Sequence, residues 1–190
     1  CGTDGGDPEA SRDLFAMDTY MTVTAYGKGA TEAVDQAADE ISRLDQLLST
    51  GNEDSEIYKI NQSGDGILSE ETAYLVERSL DLYEATDGAF DIAIYPVMKA
   101  WGFTDDNFRV PDADELKYLL TLTDASDISY DKETSQIAFK KDGMQIDFGG
   151  IAKGYTSARI MDIFRACGIK SGLVNLGGNV QALGTKKDGS

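Results

Sequence analysis

Residues 147–184 decide the fold, and they read DFGGIAKGYTSARIMDIFRACGIKSGLVNLGGNVQALG. Just before and into this stretch, alternating apolar residues over 144–148 predict a short strand that runs into Gly149 and Gly150. Apolar residues at helical spacing then predict a helix closed by a glycine, followed by a second strand over 172–176. Glycines at a strand-to-helix turn let a backbone approach a ligand closely, and the first helical turn offers N–H groups to an anion. The arrangement predicts a site for a phosphate-bearing ligand.

Lys153 adds a positive charge beside the first glycine pair. No general nucleotide motif accounts for this stretch, since it contains neither G-x-x-x-x-G-K-[ST] nor a G-x-G-x-x-G after a strand. From the pattern alone a second interpretation stays open, in which the glycines are ordinary turns and Lys153 is a solvated surface charge.

The stretch resembles the signature of the ApbE family, the FAD:protein FMN transferases, in which D-x-G-[GA]-I-A-K-G-Y precedes a helix and N-x-G-G-[ND]. The matching residues are Asp147, Gly149, Gly150, Ile151, Ala152, Lys153, Gly154, Tyr155, Asn175, Gly177 and Gly178. Three upstream segments resemble the family in the same order, and they lie at residues 17–19, at 48–61, and at 86–91 with 101–103. Four ordered matches are far more specific than any one of them.

The resemblance implies an α/β (α+β) ApbE-like flavin transferase fold with helices packed on a mixed sheet. Residues 16–190 are expected to form the N-terminal portion of a single FAD-binding domain, whose C-terminal portion carries acidic and threonine metal ligands. The apolar patterns predict the following elements: strands over 18–26, 128–130, 136–140, 144–148 and 172–176, and helices over 30–48, 69–85 and 112–122. A turn over 141–143 predicts that 136–140 and 144–148 form a hairpin.

The resemblance also assigns flavin contacts. It places Met17 against the isoalloxazine ring, although a core methionine at the start of a strand fits the sequence as well. It places Ala89, Phe90 and Asp91 in a flavin-contacting loop, where Asp91 accepts hydrogen bonds from the flavin or caps the helix that begins at Ile92.

Asp147 and Lys153 match FAD-binding positions of the family, and a structural ion pair between them is the alternative. Gly150 matches the position whose backbone carbonyl ligates Mg²⁺, and a tight turn is the alternative. Three residues depart from the family pattern: Asp18 replaces a common glycine, Gly51 replaces an aromatic residue, and Ala158 replaces an aspartate.

The expected reaction transfers FMN from FAD to a Thr or Ser hydroxyl of a target flavoprotein and releases AMP, with Mg²⁺ as the metal. The catalytic base is not identified, and the chain contains no histidine. Two alternatives remain: an Mg²⁺-dependent FAD pyrophosphatase that yields FMN and AMP, and a flavin-binding lipoprotein without turnover.

Composition restricts the partners. The net charge of −17 argues against nucleic acid and against an anionic membrane surface. Cys1 followed by the polar residues 2–13 is typical of a processed lipoprotein, so residues 1–15 are expected to be a flexible tether and Cys1 its lipidation site. The resemblance then implies an extracytoplasmic protein anchored to a bacterial membrane through that lipid alone. Cys167 is expected to be a small packed residue.

Overall fold

The computed structural model describes residues 8–185 and 189. The chain divides into two compact units: the first runs to Asp45 and resumes at Lys153, and the second covers Gln46–Ala152. The expected α/β (α+β) class, with sheets and packed helices, is confirmed. The strands form two antiparallel sheets rather than one mixed sheet. The prediction of a single domain over residues 16–190 stays a prediction.

The first unit contains a four-stranded sheet with the order β1-β2-β6-β7. Its strands are β1 (Glu9–Ala16), β2 (Thr19–Tyr26), β6 (Ser171–Leu176) and β7 (Asn179–Leu183). Helix α1 (Ala30–Leu48) follows β2, and helix α6 (Ala152–Ala166) precedes β6. The inward residues of β2 (Met21, Val23 and Ala25) are buried with apolar residues of both helices in one core cluster, because alternate residues of a strand point to the same face.

Strand β1 corrects the flexible segment expected over residues 1–15 from Glu9 onwards, while residues 1–7 lie outside the described residues. All eight residues of Glu9–Ala16 pair with β2, from Glu9 opposite Tyr26 to Ala16 opposite Thr19. Four of the eight residues of β1 are polar, and its inward residues Ala10, Leu14 and Ala16 pack in or against the core of the first unit. Burial and the ladder to β2 therefore both hold the strand. Cys1, the predicted lipidation site, lies outside the described residues, so its lipidation stays a prediction.

The second unit contains a three-stranded antiparallel sheet with the order β3-β5-β4, together with short helices. Its elements are α2 (Glu56–Ser63), β3 (Asp65–Ile67), α3 (Glu70–Ala85), a 3₁₀ helix (Ile92–Ile94), α4 (Tyr95–Trp101), α5 (Ala113–Leu119), β4 (Ile128–Asp131) and β5 (Gln136–Phe139). The helices predicted over 30–48 and 69–85 are confirmed, and the helix predicted over 112–122 is confirmed as α5 with a 3₁₀ turn after it. None of the helices in the described part of the chain is long and apolar enough to cross a membrane.

The predicted hairpin between residues 136–140 and 144–148 is wrong. Strand β5 pairs instead with β3 and β4. Residues 144–148 form no strand and join neither sheet, so the strand predicted there is wrong, although Met144, Ile146 and Phe148 are buried as their alternation predicts. The alternation therefore identified the buried face correctly, while the side chain of Asn61, and not a neighbouring strand, binds the backbone N–H and carbonyl of Ile146.

Glu40 joins the two long helices of the first unit. Its carboxylate accepts hydrogen bonds from Arg43 on the same helix at 2.8 Å and from Arg159 of α6 at 3.1 Å. The Arg43 hydrogen bond is the main cause that lowers the pKa of Glu40, and it outweighs the opposing effect of burial. The Glu40 side chain is only 11% exposed, so the charge is kept next to two cations in a partly dehydrated position.

We expect Glu40→Gln to lower the free energy of unfolding by about 1 kcal/mol at pH 7, because the ion pairs are lost. A carboxylate whose pKa is lowered by folding stabilises the protein above its unfolded pKa, and this contribution disappears as the pH falls through the folded pKa. The difference between wild type and variant in urea unfolding should therefore shrink below about pH 4.5. Asp39→Asn, on an exposed position of the same helix, is the control and should change little at either pH. An unfolding difference independent of pH would contradict this role for Glu40.

Candidate functional site

The residues predicted to contact the ligand fall into two groups, one in each unit. In the second unit, the loop containing Ala89 and Phe90 meets the turn at Gly149 and Gly150. A Cβ atom on Gly150 would lie 2.9 Å from Cε2 of Phe90, so the absence of a side chain lets the Phe90 ring cover this turn. The Phe90 N–H donates to Oγ1 of Thr86 at 2.9 Å, which fixes the loop after helix α3. Ala89 is exposed and Phe90 is half-buried.

Asp91 caps the 3₁₀ helix, as the second interpretation of this residue predicts. Its Oδ1 accepts the Ala93 N–H at 2.7 Å, and its Oδ2 accepts the Ala125 N–H at 3.1 Å. Burial is the main cause that raises the pKa of Asp91, and nearby Asp124 adds to the increase. Both oxygens are therefore engaged in holding the loop together, and a flavin contact by Asp91 stays a prediction.

Asp147 organises the glycine turn. Its N–H donates to the Ile92 carbonyl at 2.9 Å, and its Oδ1 accepts the Gly149 N–H at 2.7 Å. The carboxylate thus folds back over the backbone that follows it, in the manner of an Asx turn. Asp147 and Phe90 approach the same pair of glycines, so the structure brings these two predicted site residues together within the second unit.

The backbone amides of this turn are less available to an anion than the sequence predicts. The N–H groups of Ile151 and Ala152 both donate to the Phe148 carbonyl, at 2.9 and 2.8 Å. With the Gly149 N–H donating to Asp147, three donors expected to face a phosphate are already used. These three N–H groups are therefore not available to an anion in this conformation.

Asn61 holds the segment that leads into the candidate site, and the sequence did not predict this role. It is 7% exposed, its Nδ2 donates to the Ile146 carbonyl at 2.8 Å, and its Oδ1 accepts the Ile146 N–H at 2.7 Å. One side-chain amide thereby replaces a neighbouring strand for segment 144–148, next to Asp147. Asn61 belongs to a segment that resembles the family, but its partner lies 85 residues away.

We expect Asn61→Ala to lower the free energy of unfolding by about 2–4 kcal/mol, because it leaves two buried backbone groups of Ile146 unpaired. Chemical unfolding monitored by circular dichroism measures this change. Gln62→Ala, at the exposed neighbouring position, is the control and should change the stability by less than about 0.5 kcal/mol. Equal stabilities of the two variants would show that Asn61 does not hold the segment.

In the first unit, two tight turns carry the other predicted residues. Met17 and Asp18 connect β1 to β2 with φ angles of +48° and +57°. Gly177 and Gly178 connect β6 to β7 with φ angles of +61° and +94°. Two successive positive φ angles are the mark of a type I′ hairpin turn. Glycine takes this conformation freely, whereas Met17 and Asp18 do so at a cost of about 1–2 kcal/mol per residue.

The pairing of β2 with β6 brings these turns to one end of the sheet. Met21 lies opposite Leu176, so Thr19 and Tyr20 run alongside the second turn. The Gly177 N–H donates to the Tyr20 carbonyl at 3.2 Å, and a Cβ atom on Gly177 would lie 2.5 Å from Oγ1 of Thr19. Only glycine fits at this contact.

Lys153, in the first turn of α6, lies at the same end. Nδ2 of Asn179 donates to the Lys153 carbonyl at 3.1 Å and to Oγ of Ser157 at 2.8 Å. Asn179 directly follows the Gly177–Gly178 turn, so it ties that turn to the start of the helix. The Met17 side chain is half-buried and packs against the core of the first unit, as its core interpretation predicts. The structure thus brings Met17 and Lys153 to one end of the first unit. Asp147 belongs to the second unit, so the ion pair between Asp147 and Lys153 stays a prediction.

The departures from the family pattern occupy open positions. A Cβ atom on Gly51 would meet nothing within 4 Å, and Ala158 is exposed on α6. Asp18 takes a left-handed conformation that glycine would adopt at lower cost. None of the three replacements therefore disturbs the packing of its unit.

The described residues offer few ligands for Mg²⁺. Gly150, whose carbonyl is the predicted ligand, is exposed. Within residues 8–185 and 189, no group of three or more Asp, Glu, Cys or His side chains could hold a metal ion. Mg²⁺ requires an octahedral set of oxygen ligands, so these residues do not by themselves fit the ion.

Comparison with known proteins identifies relatives along nearly the whole chain. The model of the ApbE family matches residues 17–190. An FAD:protein FMN transferase of Treponema pallidum is 33% identical over 98% of this chain and 55% of its own length. One of Klebsiella pneumoniae is 32% identical over 76% of this chain and 46% of its own length.

Solved structures agree with the sequence relatives. The ApbE protein of Thermotoga maritima superposes with a TM-score of 0.88 at 28% identity, over 94% of this chain and 60% of that one. The flavinyl transferase ApbE of Pseudomonas stutzeri, in its apo form, gives 0.85 at 28% identity, over 97% and 64%. The chain spans about half the length of the curated relatives that it matches.

Proposed function

The chain belongs to the ApbE family, and we propose on this basis that the whole protein is an Mg²⁺-dependent FAD:protein FMN transferase. The observation that carries the proposal is the match of the ApbE family model to residues 17–190. The substrates are FAD and a flavoprotein with an accessible Thr or Ser hydroxyl. The products are the flavinylated protein and AMP.

The reaction is a phosphoryl-type transfer. The acceptor hydroxyl attacks the phosphorus on the FMN side of the pyrophosphate, a new P–O bond forms, and the P–O bond to AMP breaks. The hydroxyl proton passes to a base, and AMP leaves with the bridging oxygen. Such transfers depend mainly on positioning and on charge stabilisation, which are the contributions that this chain can make.

Lys153 is the residue proposed to stabilise phosphate charge. It follows the Gly149–Gly150 turn in sequence, and the Asn179 contact to its main chain fixes the start of its helix. Because three amides of the glycine turn are already engaged, a cation is the stronger source of attraction for the pyrophosphate. Phe90 and Met17 are proposed as apolar contacts of the flavin, since a flat ring needs apolar walls.

Mass spectrometry of an acceptor flavoprotein tests the transfer. The full-length protein is incubated with FAD, Mg²⁺ and a candidate acceptor that has an exposed Thr or Ser. We expect the acceptor to gain the mass of one phosphoester-linked FMN, and the gain to vanish when Mg²⁺ is chelated. Release of FMN and AMP without a mass gain would establish the pyrophosphatase instead. Intact FAD that stays bound would establish a flavin-binding protein and overturn the catalytic proposal.

We expect Lys153→Ala to slow FMN transfer by about a hundredfold, because one charge that stabilises the transition state is removed. Lys153→Arg keeps the charge and should retain most of the rate. Lys28→Ala, at an exposed position of the same unit, is the control. Initial rates of acceptor labelling at saturating FAD measure the effect. A Lys153→Ala rate within twofold of the wild type would remove Lys153 from the proposed mechanism.

A further inference from the structure

The turn at Met17 and Asp18 holds two non-glycine residues in the left-handed conformation, next to the residues proposed to bind FAD. Such residues persist only where their surroundings fix them, and they concentrate at functional sites.

Asp45 fixes the Met17–Asp18 turn. Its Oδ1 accepts the N–H of Met17 at 2.9 Å, and no other hydrogen bond to this N–H is found among the described residues. Asp45 is half-buried near the end of α1, and it lies 28 residues after Met17 in the sequence. The side chain of Met17 is held separately, by packing against the core of the first unit. The turn thus has a polar anchor at its backbone and an apolar anchor at its side chain.

We propose that Asp45 is a positioning residue for FAD: it holds the Met17–Asp18 turn in the conformation that accepts the ligand. The inference rests on the proposed function, and it adds a residue that touches neither FAD nor the acceptor. Without the Asp45 acceptor, the turn samples conformations of lower strain, and only a fraction of the molecules is ready to bind. The apparent dissociation constant rises by the inverse of that fraction.

Affinity for FAD, measured by quenching of flavin fluorescence on the full-length protein, tests the proposal. We expect Asp45→Ala to raise the dissociation constant by about fivefold or more. Asp45→Asn keeps an oxygen acceptor for the Met17 N–H and should stay within about twofold of wild type. Asp39→Ala, an exposed carboxylate of the same helix, is the matched control.

A rescue separates positioning from simple stabilisation. Glycine at position 18 adopts positive φ without cost, so Asp18→Gly in the Asp45→Ala background should recover most of the lost affinity. The Met17 amide proton should exchange faster with solvent in Asp45→Ala than in wild type. If Asp45→Ala does not fold, Asp45→Ser, whose shorter side chain cannot reach the turn, takes its place.

The outcomes separate the two proposals. A wild type that binds FAD, with Asp45→Ala binding equally well, overturns the positioning role and leaves the proposed function intact. A lower thermal stability of Asp45→Ala with unchanged affinity overturns it too, because Asp45 is then purely structural. A wild type that fails to bind FAD overturns the proposed function, and the inference falls with it.

Discussion

The antiparallel pairing of β2 with β6 is the constraint on which the first unit depends. Two segments about 150 residues apart meet along six residue pairs, from Met21 opposite Leu176 to Tyr26 opposite Ser171. This register places the Met17–Asp18 turn beside the Gly177–Gly178 turn, and Asn179 then draws in the start of α6. A slip of one residue would turn the buried face of each strand outwards, so the burial that stabilises the sheet also aligns the proposed binding residues.

In the second unit, the segment 144–148 has no neighbouring strand to hold it. Residues 144–148 bury three apolar side chains, and buried backbone groups must find hydrogen-bond partners. Asn61 supplies both partners at Ile146, and the Ile92 carbonyl accepts the N–H of Asp147. The segment stays free of a ladder, and this leaves Asp147 able to curl over the glycine turn that follows.

Local patterns predicted most of the helices and strands, because the spacing of apolar residues in the sequence follows the spacing of buried positions in each element. The spacing of apolar residues located α1, Ser69 marked the start of α3, and alternation identified β2. Strand β1 was not predicted because four of its eight residues are polar, and its ladder to β2 cannot be seen from its own sequence. The hairpin at 141–143 was mispredicted because alternation shows which residues are buried but cannot show which strand or side chain satisfies the backbone.

The contacts within the candidate site could not be predicted from the sequence. The motif residues were identified by resemblance, whereas the capping role of Asp91 was one of two interpretations that only geometry could separate. Asn61 and Asp45 act through hydrogen bonds to backbone atoms far away in sequence. No spacing rule captures such contacts, since their partner is any residue that the fold brings near.

The insertion of one unit within the chain of the other also sets an order of events on the ribosome. Gln46–Ala152 has its whole sequence available once Ala152 has been added, when the first unit has only β1, β2 and α1. Domains generally fold as units during synthesis, and pairings between distant segments are slow because a long loop must close. Until residues 171–176 emerge, β2 has an unpaired edge that other chains could occupy. The nascent chain therefore passes through an interval in which its exposure to chaperones or to aggregation depends on how fast residues 27–170 are translated.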